Sequence, residues 1–249
     1  MKVGIFGFGR AGRAVASVFL RSPDTVLEWV VRRSTKLEHR SVAEFLGIPS
    51  SEPGYIYARD AFTADELFEQ FPVDVVVDFS SEDGIEYYGE AAAQRDVAII
   101  TAISQYPRSK VALLRRLARR TPVLWSPNIT IGINFLMLAA KVLQKIAPYT
   151  DIEVVEEHFK GKADVSGTAK RIADSLGVRR AAIKKIRAGG IIGTHEILFG
   201  FPFQTVRLKH ESISREAFGD GALFAAQNLC GKKRGFHTME DLLLPYFSL

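Results

Sequence analysis

At its amino end the chain reads Val3-Gly4-Ile5-Phe6, then Gly7-Phe8-Gly9-Arg10-Ala11-Gly12, then Arg13 to Arg21 with apolar residues at helical spacing. A short apolar strand, a GxGxxG loop and an amphipathic helix, in that order, specify a turn whose backbone N–H groups face an anion. Gly7 permits the tight turn, Gly9 lets a pyrophosphate approach the backbone, and Gly12 lets the helix pack closely on the strand, with Arg10 and Ala11 completing the loop. A structural glycine turn is the plainer reading of such a loop. The flanking strand and helix favour dinucleotide binding.

The next strand, Val26 to Val31, ends at Arg32-Arg33-Ser34. NAD-binding folds commonly carry an acidic residue there for the ribose hydroxyls, whereas two guanidinium groups and a hydroxyl match the oxygens of a 2′-phosphate. NADPH is therefore the expected cofactor, with NADH as the alternative; two ordinary surface arginines are the competing explanation. Apolar runs at 74–79, 97–102 and 122–125 alternate with helical stretches at 64–71, 84–95 and 107–120. That alternation predicts an α/β, Rossmann-type, doubly wound parallel sheet with the cofactor along the carboxyl ends of its strands. Phe79 and Ser80 after one strand, and Thr101, Ala102 and Ile103 after another, are placed to touch the nicotinamide or its ribose.

Beyond Asn128 the pattern changes to a helix over 133–146, a strand over 152–156, and strands over 193–199 and 205–210, the last with period-two alternation. These predict a smaller α+β domain with a mixed or antiparallel sheet at 129–214, while 1–128 and 215–249 form the nucleotide domain, rejoined by a helix over 217–229. Hinges are expected near Asn128 and Ser214. Within the smaller domain, His158 is a candidate proton donor because an unperturbed imidazole titrates at about 6.5. Lys162 supplies a cation four positions on. Ser166, Gly167 and Thr168, just before a helix containing Lys170 to Leu176, offer backbone amides to a carboxylate. His195 and His210 fall in strand-like segments and read as structural histidines, and Arg215 as a hinge, a carboxylate contact or helix packing.

The 33 basic and 28 acidic residues leave a net charge of +5, but the basic residues are scattered, and Arg115, Arg116, Arg119 and Arg120 read as a solvated helix face rather than a nucleic-acid surface. No apolar run approaches the roughly 20 residues that span a bilayer. A single cysteine, and no zinc-type spacing of Cys and His, argue against disulfides and a metal. The expected setting is cytoplasmic, without nucleic-acid or membrane partners.

The chain resembles the 4-hydroxy-tetrahydrodipicolinate (dihydrodipicolinate) reductase family of lysine and diaminopimelate biosynthesis. The resemblance rests on the glycine loop, Asp78-Phe79-Ser80, Asn128-Ile129-Thr130-Ile131-Gly132-Ile133-Asn134, Asp151 to Glu156, His158, Lys162, Asp164, Ser166-Gly167-Thr168-Ala169, Arg187 to His195, and Ser214-Arg215. It implies an NADH- or NADPH-dependent reduction of a cyclic unsaturated imine dicarboxylate, usually by a homotetramer. It also implies His158 and Lys162 as catalytic residues, Ser166, Gly167, Thr168 and the neighbouring Phe159 at the substrate, and Asn128 and Ile129 among the cofactor contacts. Four features depart from the family pattern, among them the missing proline before Ser166-Gly167-Thr168, with only Val165 between Asp164 and Ser166, and a short stretch between Leu176 and Ile186. Thr101-Ala102-Ile103-Ser104 stands where the family has Gly-Thr-Thr-Gly, and Phe159 replaces the second of two adjacent histidines. A reductase of the same fold acting on another small imine or unsaturated acid, or a non-catalytic NADP-binding regulator, are the alternative expectations.

Overall fold

Short apolar runs separated by amphipathic helices build the first part of the chain: β1 (Lys2–Phe6), α1 (Arg10–Arg21), β2 (Val26–Arg32), α2 (Val42–Leu46), β3 (Tyr55–Ala58), α3 (Ala64–Gln70), β4 (Val75–Asp78), α4 (Gly84–Gln94), β5 (Ala98–Thr101), α5 (Arg108–Leu117) and β6 (Pro122–Trp125). There follow α6 (Ile131–Ile146), β7 (Asp151–His158), α7 (Gly167–Leu176), β8 (Lys184–Arg187), β9 (Thr194–Gly200) and β10 (Thr205–Glu211), and then α8 (Glu216–Leu229), β11 (Gly235–His237) and α9 (Met239–Leu243). The computed structural model describes every residue except Ser51, Pro53, Ser248 and Leu249. Contacts divide the chain into Met1–Thr130 with Arg215–Leu249, and Ile131–Ser214.

In the first unit seven parallel strands lie in the order β11-β6-β5-β4-β1-β2-β3. Every residue of β4 and β5 is buried, as expected when helices cover both faces of a parallel sheet. The chain moves outward from β1 through β2 to β3 and then returns to pair β4 with the other edge of β1, with Phe6 opposite Asp78. This reversal opens a crevice at the carboxyl ends of β1 and β4. Trp29, Phe6, Tyr88 and Phe68 fill the core beneath it. The helix expected over 217–229 is α8, which rejoins this unit, with Gly219 against Val18 of α1. The arginine face of α5 is solvated, and Arg116 pairs with Glu90 at 2.5 Å.

The second unit is a four-stranded mixed sheet, β10-β9-β7-β8, antiparallel except between β7 and β8. Ile133, Leu136 and Ala140 of α6 and Ala169, Ile172 and Leu176 of α7 pack on Val154, Ile197 and Phe199 of the sheet. Ser166 caps α7 by accepting the Ala169 N–H at 3.0 Å, and Gly177 ends that helix in the left-handed conformation. The strand expected over 152–156 runs on to His158, and β3, β8 and β11 are strands that sequence reading did not anticipate.

Candidate active site

In the first unit, Gly7 adopts φ +95, and a Cβ there would lie 2.6 Å from the Phe79 backbone; a Cβ on Gly12 would lie 2.0 Å from the Gly7 carbonyl oxygen. Only glycine lets β1, α1 and the loop after β4 approach this closely. Around Gly9, by contrast, nothing lies within 4 Å of a built Cβ, and no side chain caps α1. The first N–H groups of α1 are left to meet an anion. A cleft of about 400 Å³ opens there, lined by Gly7, Gly9, Arg32, Arg33, Ser34, Phe79 and Ser80 of the expected cofactor set. Arg59 and Tyr87 join them, the Arg59 guanidinium 5.3 Å from the Tyr87 ring centroid. None of the described lining residues is acidic, so the cleft favours an anionic group.

The remaining cofactor candidates, Arg10, Ala11, Gly12, Thr101, Ala102, Ile103, Asn128 and Ile129, are not among the residues that line this cleft. Arg10 and Ala11 open α1, and Gly12 lies buried beneath the loop. Thr101 is buried at the end of β5, its Oγ1 2.8 Å from the Tyr106 hydroxyl. Ala102 donates its N–H to the Asp78 carbonyl at 3.0 Å, and Trp125 Nε1 donates to the Ile103 carbonyl at 2.9 Å. Asn128 Oδ1 accepts from the Thr130 N–H at 3.2 Å, and Ile129 is buried against Gly221 of α8.

In the second unit, β7 carries alternating inward side chains at Val154, Glu156 and His158. Glu156 is fully buried. Its Oε1 accepts from Arg187 Nη2 at 2.6 Å, and its Oε2 accepts the Ser166 N–H at 3.0 Å. His158 Nδ1 lies 3.4 Å from Glu156 Oε2 without hydrogen-bond alignment, while the other edge of the ring faces Gly193, where a Cβ would come within 3.1 Å of Nε2. His195 Nε2 is 3.0 Å from Ser166 Oγ and 4.0 Å from Glu156 Oε2. Arg187 also donates Nε to the Lys162 carbonyl at 2.8 Å and Nη2 to the Asp164 carbonyl at 3.0 Å.

Burial pushes the Glu156 carboxyl up, but the hydrogen bonds from Ser166 and Arg187 outweigh it and hold the group below the usual carboxylate range. His158 is pushed below the ordinary imidazole value first by burial, with Lys162 and Arg187 opposing its charge and Glu156 favouring it. His195 falls to about 4, again first through burial and then through His158. The imidazole expected to titrate at its ordinary value thus lies below it. Glu156, His158 and His195 bring their donor atoms within 4.8 Å of one another. The guanidinium already on Glu156 puts positive charge beside the place a metal would occupy, and the arrangement suits a proton better than a cation.

The second unit therefore brings together His158, Lys162, Ser166, Gly167 and Thr168, the last three opening α7, and leaves Phe159 47% exposed beside them. Sequence reading gave no role to Glu156 or Arg187 and set His195 aside. Glu156 shares the inward face of β7 with His158, which was the available signal. His210 lies on β10, its ring beside Gly132 of α6, away from this cluster's hydrogen bonds.

Family models described as the dihydrodipicolinate reductase N-terminus and C-terminus match residues 1–129 and 129–243. A 4-hydroxy-tetrahydrodipicolinate reductase of Caldanaerobacter subterraneus subsp. tengcongensis is 33% identical over 192 residues, covering 68% of this chain and 76% of the relative. That of Lawsonia intracellularis is 29% identical over 261 residues, covering 94% and 96%. Among solved structures, a dipicolinate-bound dihydrodipicolinate reductase from Paenisporosarcina sp. TG-14 superposes with a TM-score of 0.78 at 20% identity, covering 96% of this chain and 97% of that one. At that identity the superposition speaks for the fold.

Proposed function

Because this chain belongs to the dihydrodipicolinate reductase family, we propose a division of labour among its residues in a reaction that the family fixes. The protein is an oxidoreductase that reduces 4-hydroxy-tetrahydrodipicolinate in lysine and diaminopimelate biosynthesis, using a nicotinamide cofactor. When bound, that cofactor supplies a hydride. The uncapped N-terminus of α1 and the space around Gly9 receive the pyrophosphate, and Arg32, Arg33 and Ser34 receive a 2′-phosphate. NADPH is the preferred form on this reading, supported by a cleft lining with arginines and no acidic side chain among the described residues.

Hydride addition to a conjugated ring leaves an electron pair that one proton must quench. His158 delivers that proton from Nε2, while Glu156, facing Nδ1, stabilises the imidazolium. Lys162 and the N–H groups that open α7 hold the substrate carboxylates. A dianionic substrate raises the affinity of His158 for its proton. The observation that carries this reading is the common scaffold of donor and anion site: Glu156 faces the His158 ring and accepts the Ser166 N–H. Oxidation of NADPH by the purified protein with freshly generated 4-hydroxy-tetrahydrodipicolinate, beside a reaction without substrate, tests it. Absence of substrate-dependent oxidation overturns it.

A homotetramer built through the second unit is part of the proposal, supported by exposed Ile146, Tyr149, Phe203 and Ile213. Analytical ultracentrifugation tests it, and a monomer at working concentration refutes it. Among the described residues no helix is long and apolar enough to cross a membrane; a cytoplasmic setting is part of the proposal.

A further inference from the structure

The residues between β7 and α7 are an exposed loop around Gly161, and at positions 159–164 only Lys162 is partly covered. A segment with so little buried apolar surface is positioned by its hydrogen bonds. Two of these come from one side chain, which also bonds Glu156 on β7. The Arg187 guanidinium reaches the Glu156 carboxylate and the carbonyls of Lys162 and Asp164 at 2.6, 2.8 and 3.0 Å. Glu156 in turn takes the Ser166 N–H at the end of the same loop and faces the His158 ring.

We propose that Arg187 is a positioning residue for the reaction, fixing the loop that carries Lys162 and the strand that carries His158 in one geometry by bonding Glu156 and two loop carbonyls at once. The proposal rests on the roles of His158 and Lys162 given above. Only a planar, forked donor can make these contacts together; an ammonium in its place keeps the charge but loses the fork. The cofactor cleft lies in the other unit and includes neither Arg187 nor its partners. NADPH affinity therefore separates a positioning effect from a general loss of structure.

The charged and titratable groups facing His158 are Glu156 on its own strand, Lys162 on the loop, Arg187 on β8 and His195 on β9. Of these, Lys162 and then Arg187 oppose protonation of the ring. Purified wild type, Arg187→Ala and Arg187→Lys are compared by substrate-dependent NADPH oxidation across pH and by NADPH binding followed through fluorescence. Arg187→Ala is expected to lose kcat on the order of 100-fold, the scale of a small misplacement of reacting groups, with NADPH affinity unchanged and the limb on which kcat/KM falls with rising pH moved to higher pH. Arg187→Lys loses kcat on a similar scale but keeps the wild-type limb. Millimolar guanidinium restores part of the Arg187→Ala turnover, whereas urea does not. Unchanged kcat in both variants overturns the proposal, as does a loss of turnover matched by lost NADPH binding and indifferent to guanidinium. A wild type without turnover sinks the underlying reading and this proposal together, whereas an active wild type with indifferent variants sinks this proposal alone.

Discussion

His195 Nε2 stands 3.0 Å from Ser166 Oγ, the same hydroxyl oxygen that accepts the Ala169 N–H at the start of α7. One small side chain thus ties the N-terminal end of a helix to the inner face of the sheet. Ser166→Ala removes both bonds and leaves the His195 nitrogen buried without its partner. The expected cost is about 1–2 kcal/mol for the lost cap, together with a rise in substrate KM larger than the fall in kcat. Urea unfolding and steady-state kinetics measure the two effects. Wild-type stability and KM would refute the assignment of this helix end to the substrate.

Replacing His158 by Gln keeps a hydrogen-bonding side chain but removes the acid, and kcat is expected to fall roughly 100-fold, the usual scale for a lost general acid. The pH profile has a definite sign. Because burial lowers the His158 pKa in the free protein, activity in kcat/KM falls with rising pH along a limb below the ordinary imidazole value of 6.5. In kcat, with a dianion bound beside the ring, the limb lies at higher pH. Coincident limbs, or a limb that survives in His158→Gln, would remove His158 as the proton source.

The cofactor half of the fold was legible because its signals are local. A strand, three glycines and a helix adjoin in sequence, and strand and helix periods alternate for the next hundred or so residues, a pattern with few architectures. β3, however, is a short aromatic run, Tyr55-Ile56-Tyr57, that carries no strand periodicity of its own, so Arg59 beyond it went unplaced. The polar half was harder to read. The apolar alternation of β7 stops after Val154, yet the strand continues because Glu156 and His158 keep the inward phase, the Glu156 carboxylate met by Ser166 and by Arg187 from further along the chain. Burial of a charged pair depends on partners far away in sequence, which periodicity does not report. For the same reason β8, written Lys184-Lys185-Ile186-Arg187, reads as a charged loop.

If Arg32 and Arg33 meet a 2′-phosphate, Arg33→Ala should raise the KM for NADPH by about 10- to 100-fold, the value of a charge-assisted hydrogen bond, and leave the KM for NADH nearly unchanged. The comparison of kcat/KM for both cofactors in wild type and variant checks this. Equal losses with the two cofactors would assign Arg33 to the shared part of the dinucleotide or to folding.

Asp78, fully buried at the end of β4, has its carboxyl pushed up to about 6 by burial, against the hydrogen bonds from Ser80 and Tyr88 that favour its charge. A folded-state value above the unfolded 3.8 means that its contribution to stability is fully present below 3.8 and is lost as pH rises through 6. The difference amounts to about 3 kcal/mol. His195 has the opposite sign, since with a folded value near 4 its contribution is present above 6.5 and is lost as pH falls toward 4. The two groups sit in different units, and both tryptophans, Trp29 and Trp125, lie in the unit that holds Asp78. Unfolding followed by tryptophan fluorescence therefore reports on Asp78. Asp78→Asn can keep the Ser80 bonds through its amide oxygen while Tyr88 turns to accept, so it is expected to raise stability near neutral pH and to flatten the pH dependence between 4 and 6 relative to wild type. A wild-type pH dependence retained in the variant would mean that Asp78 is not the group titrating in that window.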